Sequence, residues 1–347
     1  MRSLPVNMSE GMGKNSAERV DTMRCWTSAG PGLAGLVLAR LPRPAAGPAT
    51  ALVRVEAAAL NFSDLLMIDD LYQIRPPRPF VPGQEIAGTV IAAGENCGLA
   101  VGDRIASKVQ WGGFAQYALV RGDMAIRIPA SMVASQAAAL PVVYTTALVA
   151  LTQSTSISAG ETVLVLSAAG GVGLAAVEVA KQLSARVIAA AGGAEKCALA
   201  RAHGADASVD YREKDWVDRV KAITGDRGVD AIVDPVGGEL TRQALRLLAW
   251  GGRLLIVGFS SGEIPQIPAN RLLLRRACAI GVYWDHDRDA PMLARIARQL
   301  LEFSAAGVIR PHIGATFAFE DLPDALIALK GRKTAGKTIL TIPQEMP

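Results

Sequence analysis

A glycine-rich turn between two apolar runs constrains the fold of this chain more than any other feature. Residues 163–166 (VLVL) form the first run, and a turn with Gly170, Gly171 and Gly173 follows it. The small residues after the turn predict a helix that continues to Lys181. A strand, a tight turn and a helix N-terminus in this order hold a dinucleotide pyrophosphate, because backbone N–H groups and the helix dipole face the anion. The stretch therefore predicts a site for NAD or NADP.

The turn departs from the usual G-x-G-x-x-G pattern at its first position. An alanine stands there, and glycines occupy the second and third positions. Alanine costs little if its backbone needs no positive φ, whereas the glycines let backbone approach the phosphates and let helix and strand pack closely. A small-residue turn in another kind of α/β unit is the alternative. The turn residues predicted to contact the cofactor are Ala168, Gly170, Gly171, Val172 and Gly173.

Length and composition restrict the class of protein. A chain of 347 residues is long for one core and predicts two domains. The net charge of +4 is spread over residues of mixed sign, so no nucleic-acid partner is expected. No apolar run reaches the roughly 18 residues of a membrane span, so no membrane partner is expected. Four scattered cysteines suit reduced thiols and a cytoplasmic location.

The order of patterns along the chain predicts two kinds of domain. Short strands and turns dominate up to about residue 128, whereas strands and helices alternate after about residue 132. Six strands with crossovers predict an α/β fold with a doubly wound parallel sheet. These strands are predicted at residues 162–167, 186–191, 207–210, 231–234, 253–257 and 278–282. The predicted division is a disordered extension (1–22), a discontinuous, mostly β domain (23–145 and 287–347) and a nucleotide-binding domain (146–286).

The end of the second of these strands bears on the choice of nucleotide. An NAD site usually has an acid there that accepts from the ribose 2′-OH, but this chain has Gly192 and Gly193. Lys196 follows and is placed to pair with a 2′-phosphate. Glu195 would oppose that phosphate if it pointed inward, and solvation of both side chains is the alternative. The missing acid predicts NADPH as the cofactor.

Several segments together resemble the medium-chain dehydrogenase/reductase superfamily. They are residues 61–90, GDRI, GGFAQY, AALPVVYTTALVAL and SAAGGVG, and the resemblance covers residues 23–342. Within the superfamily they are similar to the zinc-free NADPH:quinone oxidoreductases, the zeta-crystallin-like branch. The resemblance implies a GroES-like catalytic domain, a Rossmann domain, a cleft between them and a homodimer.

The positions that hold zinc in the alcohol dehydrogenases of this superfamily carry other residues here. Asn61 stands for a cysteine, Gln84 for a histidine, and an apolar residue near Val142 for the third ligand. Amide side chains are poor zinc ligands, and the scattered histidines and cysteines offer no metal-binding spacing. We therefore expect no metal site.

The resemblance also implies roles for individual residues, each with a structural alternative. Asn61 would donate to a substrate oxygen or order water, or only stabilise a turn. Tyr72 would line the acceptor site, or be an ordinary loop residue. Thr146 would pack beside the nicotinamide, or belong to the core. Tyr211 would flank the 2′-phosphate, and Lys337 would contact the cofactor or be solvated.

Residues after the fifth and sixth strands are expected near the nicotinamide, because ligands bind at the carboxyl ends of parallel strands. They are Gly258, Phe259, Val282, Tyr283 and Trp284. No residue stands out as an obligate acid.

Metal-free chemistry favours an electron-poor acceptor. Oxidising an unactivated alcohol without a Lewis acid is difficult, whereas a quinone or an activated C=C bond accepts hydride directly from the cofactor. We therefore expect a zinc-independent, NADPH-dependent oxidoreductase. One alternative is an enoyl- or acryloyl-CoA-type thioester reductase, whose cleft would have a basic rim; the candidates are Arg75, Arg78, Arg275 and Arg276. Another is a nucleotide-binding protein with a structural or RNA-binding role.

Overall fold

The computed structural model describes residues 21–343, which form two sheets, a two-stranded ribbon and ten α-helices. Except for its last two residues, the predicted extension (1–22) lies outside the described residues. The strands are β1 Thr22–Ser28, β2 Leu36–Pro42, β3 Thr50–Leu60, β4 Glu85–Ala93, β5 Arg104–Lys108, β6 Tyr117–Arg121, β7 Ala125–Arg127, β8 Thr162–Leu166, β9 Arg186–Ala191, β10 Ala207–Asp210, β11 Val229–Asp234, β12 Leu248–Ile256, β13 Cys278–Gly281, β14 Ile313–Ala318 and β15 Lys337–Thr341. The helices are α1 Phe62–Ile68, α2 Ala134–Ala138, α3 Pro141–Leu148, α4 Gly171–Gln182, α5 Ala194–Ala202, α6 Trp216–Thr224, α7 Gly238–Ala244, α8 Ala269–Leu273, α9 His286–Ala305 and α10 Leu322–Lys330.

A six-stranded parallel sheet holds the glycine-rich turn. Its order is β10-β9-β8-β11-β12-β13. Strands β9 and β10 are added on one side of β8 and the last three strands on the other, so the order of strands switches between β8 and β11. All five residues of β8 are buried, as expected for a strand covered by helices on both faces. The predicted α/β class with a doubly wound sheet is confirmed. Strand β12 begins five residues before the predicted start, because it passes through a bulge in which Gly251 has a φ of 75°.

A second, mostly antiparallel sheet contains both early and late segments of the chain. Its order is β14-β15-β3-β4-β5-β7, and β6 also pairs with β3. Strand β15 runs antiparallel to β3, with Thr338 opposite Leu60. This pairing brings the residues that follow β3 next to the residues that begin β15. The pairing of β15 with β3 therefore forms one wall of a cavity between the two sheets.

The two sheets meet along α3 and α4. Helix α3 begins with Pro141, which is tolerated in a first helical turn because that N–H has no partner within the helix. The segment before β15 reaches the glycine-rich turn, where the Gly336 N–H donates to the Ala169 carbonyl at 2.8 Å. No helix in residues 21–343 has the length and apolar character to cross a membrane.

Candidate functional site

A cavity of about 590 Å³ lies between the two sheets. It is lined by the glycine-rich turn, the carboxyl ends of the parallel strands, and α1, α3 and the segment before β15. Of the residues predicted from sequence, those that line it are Asn61, Tyr72, Thr146, Gly170, Gly171, Val172, Gly173, Gly192, Lys196, Tyr211, Gly258, Phe259, Val282, Tyr283, Trp284 and Lys337. Ala168 does not line it: this residue is fully buried, and Ser167 and Ala169 face the cavity instead.

Close packing, rather than unusual dihedral angles, explains Gly171 and Gly173. A Cβ at Gly173 would collide with the Ser167 carbonyl oxygen and lie 2.7 Å from the Ala168 Cα. A Cβ at Gly171 would lie 2.9 Å from the Lys337 Cδ. Within residues 167–173 only Ser167 has a left-handed backbone, with a φ of 50°. Alanine is therefore tolerated at position 168, because that position needs no positive φ.

The N-terminus of α4 presents backbone N–H groups to the cavity without a side-chain cap. Gly170 precedes the helix and supplies no side-chain cap, and the first turn holds no acidic residue. The first N–H groups of a helix and its dipole attract an anion when no side chain occupies them. The turn and this helix end therefore fit the pyrophosphate of a dinucleotide.

Cationic side chains gather at the end of the cavity beside β9 and β10. Lys196 donates to the Arg332 carbonyl oxygen at 2.8 Å, and both residues line the cavity with Tyr211. Burial, followed by the charges of Arg212 and Arg332, lowers the pKa of Lys196. Glu195 is exposed and does not line the cavity, so it does not oppose a bound phosphate. An added anion would relieve the repulsion among these cations.

A buried network of hydrogen-bonded charges forms the wall made by β15 and β3. The Lys337 ammonium donates to Glu85 Oε2 at 2.7 Å, to Asn61 Oδ1 at 2.7 Å and to the Leu60 carbonyl at 3.0 Å. Glu85 is fully buried, and its Oε1 accepts from the Val142 N–H at 2.6 Å. All three ammonium hydrogens are therefore used within the protein, and the Lys337 stem reaches the cofactor turn through Gly171.

The same network changes the expected role of Asn61. Its Nδ2 donates to Glu85 Oε2 at 3.0 Å and to the Ala59 carbonyl at 3.3 Å. An amide nitrogen carries two hydrogens, and both have acceptors within the protein. Asn61 instead fixes the positions of Glu85 and Lys337.

A second buried carboxyl, Asp64, lies directly behind this network. Its Oδ2 accepts from the Asn61 N–H at 2.7 Å, and its Oδ1 has no hydrogen-bond partner among the described residues. Burial is the main cause that raises the pKa of Asp64 from 3.8 to about 7, and the charge of Lys337 opposes it. Asp64 therefore keeps its proton in the folded chain at pH values where the unfolded chain has lost it.

We expect Asp64→Asn to flatten the pH dependence of stability between about pH 4 and about pH 7. The folded chain holds a proton there that the unfolded chain has released. Its free energy of unfolding therefore falls as pH rises, by about 1.4 kcal/mol per pH unit for one proton. The amide keeps the bond to the Asn61 N–H but does not titrate. Urea unfolding at a series of pH values measures the slope, with Asp324→Asn on the exposed face of α10 as the control. Parallel wild-type and Asp64→Asn curves would contradict this interpretation.

The opposite end of the cavity combines an aromatic wall with polar side chains. Trp284 Nε1 donates to Thr146 Oγ1 at 3.1 Å, and Thr146 donates to the Val142 carbonyl at 2.7 Å. Ser63 donates to Gln84 Oε1, and burial raises the pKa of Tyr72. The Thr146 hydroxyl is thus held by its own helix and by the indole, which fixes the wall beside the strand ends.

Comparison with known proteins assigns the family. A model described as "Alcohol dehydrogenase GroES-like domain" matches residues 47–130, and one described as "Zinc-binding dehydrogenase" matches residues 171–298. Quinone oxidoreductase-like protein 2 of Rattus norvegicus is 39% identical over 305 residues, which cover 87% of this chain and 87% of the rat protein. The chain belongs to the medium-chain dehydrogenase/reductase superfamily. It is a quinone oxidoreductase-like member of this superfamily. It is therefore a reductase of the medium-chain type.

Two further proteins similar to this chain are named quinone oxidoreductase. Quinone oxidoreductase of Homo sapiens is 30% identical over 301 residues, which cover 84% of this chain and 88% of the human protein. The structure of the quinone oxidoreductase of Thermus thermophilus, solved also in complex with NADPH, is similar with a TM-score of 0.79 at 34% identity. That match covers 92% of this chain and 100% of the other.

The zinc implied by one of the family descriptions does not fit the residues of this chain. Asn61, Gln84 and Val142 all line the cavity, and they offer two amides and an aliphatic side chain. The Lys337 ammonium lies 2.7 Å from Asn61 Oδ1, so a cation already occupies the best oxygen donor. Zinc prefers thiolate, imidazole and carboxylate ligands. Across residues 21–343, no three His, Cys, Asp or Glu side chains gather as a metal site requires.

Sequence reasoning missed three cavity or network residues of this quinone oxidoreductase-like chain. Arg332 lies in a basic run, KGRK, that ends α10, and this run was the available signal. Glu85 begins β4 directly after Gln84, and no local pattern predicts that it pairs with Lys337. Lys108 follows the GDRI motif at the end of β5, and nothing local marks it as a cavity residue.

Proposed function

We propose that this chain is a zinc-independent, NADPH-dependent oxidoreductase that delivers hydride to a quinone or another electron-poor acceptor. The observation that carries the proposal is the Lys337 ammonium, which stands between Asn61 and Glu85 where a metal would need anionic ligands. Such a site supplies no Lewis acid to activate an alcohol. It suits acceptors that take hydride without metal assistance.

The chain's own residues bind and orient the two reactants. Bound NADPH supplies the hydride. The turn and the α4 N-terminus bind the pyrophosphate, and the cations near β9 bind the 2′-phosphate. Thr146 and Trp284 form a fixed wall, and Tyr72 and Tyr283 line the acceptor side. Positioning of this kind lowers the barrier by removing the entropy cost of bringing the reactants together.

The names of relatives support a quinone as the acceptor. The positions of the arginines give little support to the alternative, a CoA-thioester reductase with a basic rim around its cleft. Arg78 is tied to Ser28, Gly30, Ile68 and Asp70 rather than free at a rim. Arg275 and Arg276 do not line the cavity. A thioester reductase therefore lacks most of the cations that were expected to hold a CoA ester.

An acceptor panel tests the proposed function. Purified chain is mixed with NADPH or NADH and with 1,4-benzoquinone, 9,10-phenanthrenequinone, cyclohex-2-enone or crotonyl-CoA, and cofactor absorbance is followed. We expect the quinones and NADPH to give the highest kcat/KM. Preference for crotonyl-CoA would favour the thioester alternative. Tight binding of NADPH without turnover of any acceptor would favour a structural or RNA-binding role. Zinc analysis of the same sample checks the metal.

We expect Lys196→Ala to weaken NADPH binding by about 10- to 100-fold and to leave NADH binding within about twofold. The lost interaction is a charge-assisted contact to the 2′-phosphate, which NADH lacks. Dissociation constants from calorimetry measure the effect, and Lys214→Ala, at an exposed site outside the cavity, is the control. Equal losses for both cofactors, or a wild-type preference for NADH, would contradict NADPH specificity.

The proposal includes a homodimer. Strand β13 is an edge strand, and the large apolar residues around it are more than 60% exposed: Trp250 on β12, and Leu273 and Leu274 before β13. An uncovered strand edge beside apolar side chains favours pairing with another chain. A second copy, edge to edge, covers both surfaces at once, and sedimentation equilibrium tests it. A cytoplasmic location stays a prediction.

A further inference from the structure

The register of two strands directs Lys108 to the acceptor side of the cavity. In the antiparallel pair β4–β5, Lys108 lies directly opposite Glu85. Directly opposed residues project from the same face of a sheet. Glu85 faces the buried network below the cavity, and Lys108 lines the cavity itself together with Tyr72 and Gln84.

The carboxylate closest in register is unavailable to Lys108. Both oxygens of Glu85 are taken, one by the Val142 N–H and the other by Lys337 and Asn61. The Asp285 carboxylate caps α9 by accepting from the Asp287 and Arg288 N–H groups. Lys108 and Lys337 thus both lie near Glu85, but only Lys337 forms an ion pair with it.

The Lys108 ammonium has no hydrogen-bond acceptor among residues 21–343. Its contact is with the face of Trp284, where Nζ lies 4.5 Å from the ring centroid. The indole N–H of Trp284 binds Thr146, which is proposed to lie beside the nicotinamide. The N–H donors of Lys108 are therefore available to a ligand that displaces water from this part of the cavity. Trp284 contacts both Lys108 and Thr146, which places the Lys108 ammonium near the expected site of hydride transfer.

We propose that Lys108 is the acid of this reaction: its ammonium binds the acceptor oxygen that becomes anionic and transfers a proton to it. The inference rests on the proposed function and names the proton donor that sequence reasoning did not find. It also defines the acceptor class as one with a carbonyl oxygen conjugated to the carbon or oxygen that receives hydride. Simple alkenes lack such an oxygen.

The atoms and electrons of the step balance. The acceptor gains a hydride, with its two electrons, from the reduced nicotinamide, and a pair of π electrons moves to the carbonyl oxygen. An N–H bond of Lys108 breaks as the O–H bond forms, which gives a hydroquinone or an enol. The neutral amine regains a proton from water through the open cleft.

The charges around Lys108 suit an acid. Burial lowers the pKa of Lys108, and Asp285 opposes this shift. His286, which begins α9, has its pKa lowered to about 4, chiefly by burial and then by the charge of Lys108, so it is neutral near pH 7. Asp123 and Arg121 lie beyond His286, and Tyr72 faces the same cavity. A lowered pKa makes the ammonium a readier proton donor than a lysine in water.

Two substitutions separate proton transfer from simple attraction. Lys108→Gln removes the charge and the acid, and we expect kcat for the best acceptor of the panel to fall about 100-fold. Lys108→Arg keeps the positive charge but does not release a proton near neutral pH, because guanidinium stays protonated. We expect it to preserve the acceptor KM while kcat stays at least about tenfold below wild type. Lys214→Gln is the control, and NADPH affinity should be unchanged in every variant.

A binding measurement gives a readout that does not depend on turnover. 4-Nitrophenol, whose phenolate is coloured, imitates the anionic product when it binds with NADP⁺. Beside the ammonium its pKa should fall by about 1–3 units relative to water. Lys108→Gln should abolish this fall, and Lys108→Arg should retain it.

The outcomes separate this inference from the proposed function. Wild-type kcat in Lys108→Gln, full kcat in Lys108→Arg, or the same phenol pKa in wild type and Lys108→Gln would each overturn it. So would a loss confined to crotonyl-CoA, because Lys108 would then only bind the anionic phosphates of that acceptor. Failure of every acceptor would instead overturn the proposed function, and the phenol titration would still test the ammonium.

Discussion

Lys337→Met is expected to lower the free energy of unfolding by about 3–5 kcal/mol. The Lys337 side chain is 5% exposed and its partner Glu85 is 0% exposed, so removal of the ammonium leaves a carboxylate buried without a countercharge. The Leu60 carbonyl and Asn61 Oδ1 lose their donor at the same time. Urea unfolding measures the change.

A surface pair and a double mutant identify the cause of this loss. Lys181 pairs with Asp206 at 2.8 Å, but the two side chains are 35% and 39% exposed, so Lys181→Met should cost at most about 1 kcal/mol. Lys337→Met combined with Glu85→Gln removes both charges and should recover part of the stability lost by Lys337→Met alone. If Lys337→Met costs no more than Lys181→Met, the buried network does not stabilise the fold.

The nucleotide-binding half could be predicted from sequence because its signals are local. The apolar run at β8 and the glycines after it lie within eleven residues of each other, and each predicts its own conformation. Strands β9 and β10 also have the predicted bounds, since each is short and ends beside glycine or polar residues. At β12 the prediction began too late, because two glycines in the bulge had the composition of a loop.

The chemistry of the opposite wall could not be predicted in the same way. Lys337 and Glu85 are 252 residues apart, and the pairing of β3 with both β15 and β4 brings them together. The direction of Lys108 depends on its register opposite Glu85, which composition does not encode. Resemblance placed Asn61 in the cleft, but its amide hydrogens are used by Glu85 and Ala59, and their direction becomes known only with the side chains in place.

Gly173→Ala is expected to raise the dissociation constant of NADPH by about 100-fold or more. A Cβ at this position collides with the Ser167 carbonyl oxygen and approaches the Ala168 Cα to 2.7 Å, so backbone, not a flexible side chain, must move. Such overpacking costs about 1–3 kcal/mol. The shift also turns the first N–H groups of α4 away from the pyrophosphate, and each bond to a charged group is worth about 1.5–3 kcal/mol.

The choice of control makes this a test of close approach rather than of glycine as such. At Gly30 the nearest atom to an added Cβ is 4.0 Å away and φ is not positive, so Gly30→Ala should leave NADPH binding unchanged. Calorimetry with NADPH and with NADH should show the same loss for Gly173→Ala, because the pyrophosphate is common to both. Lys196→Ala should instead distinguish the two cofactors. A wild-type dissociation constant in Gly173→Ala would show that the turn does not bind the cofactor through the geometry described for α4.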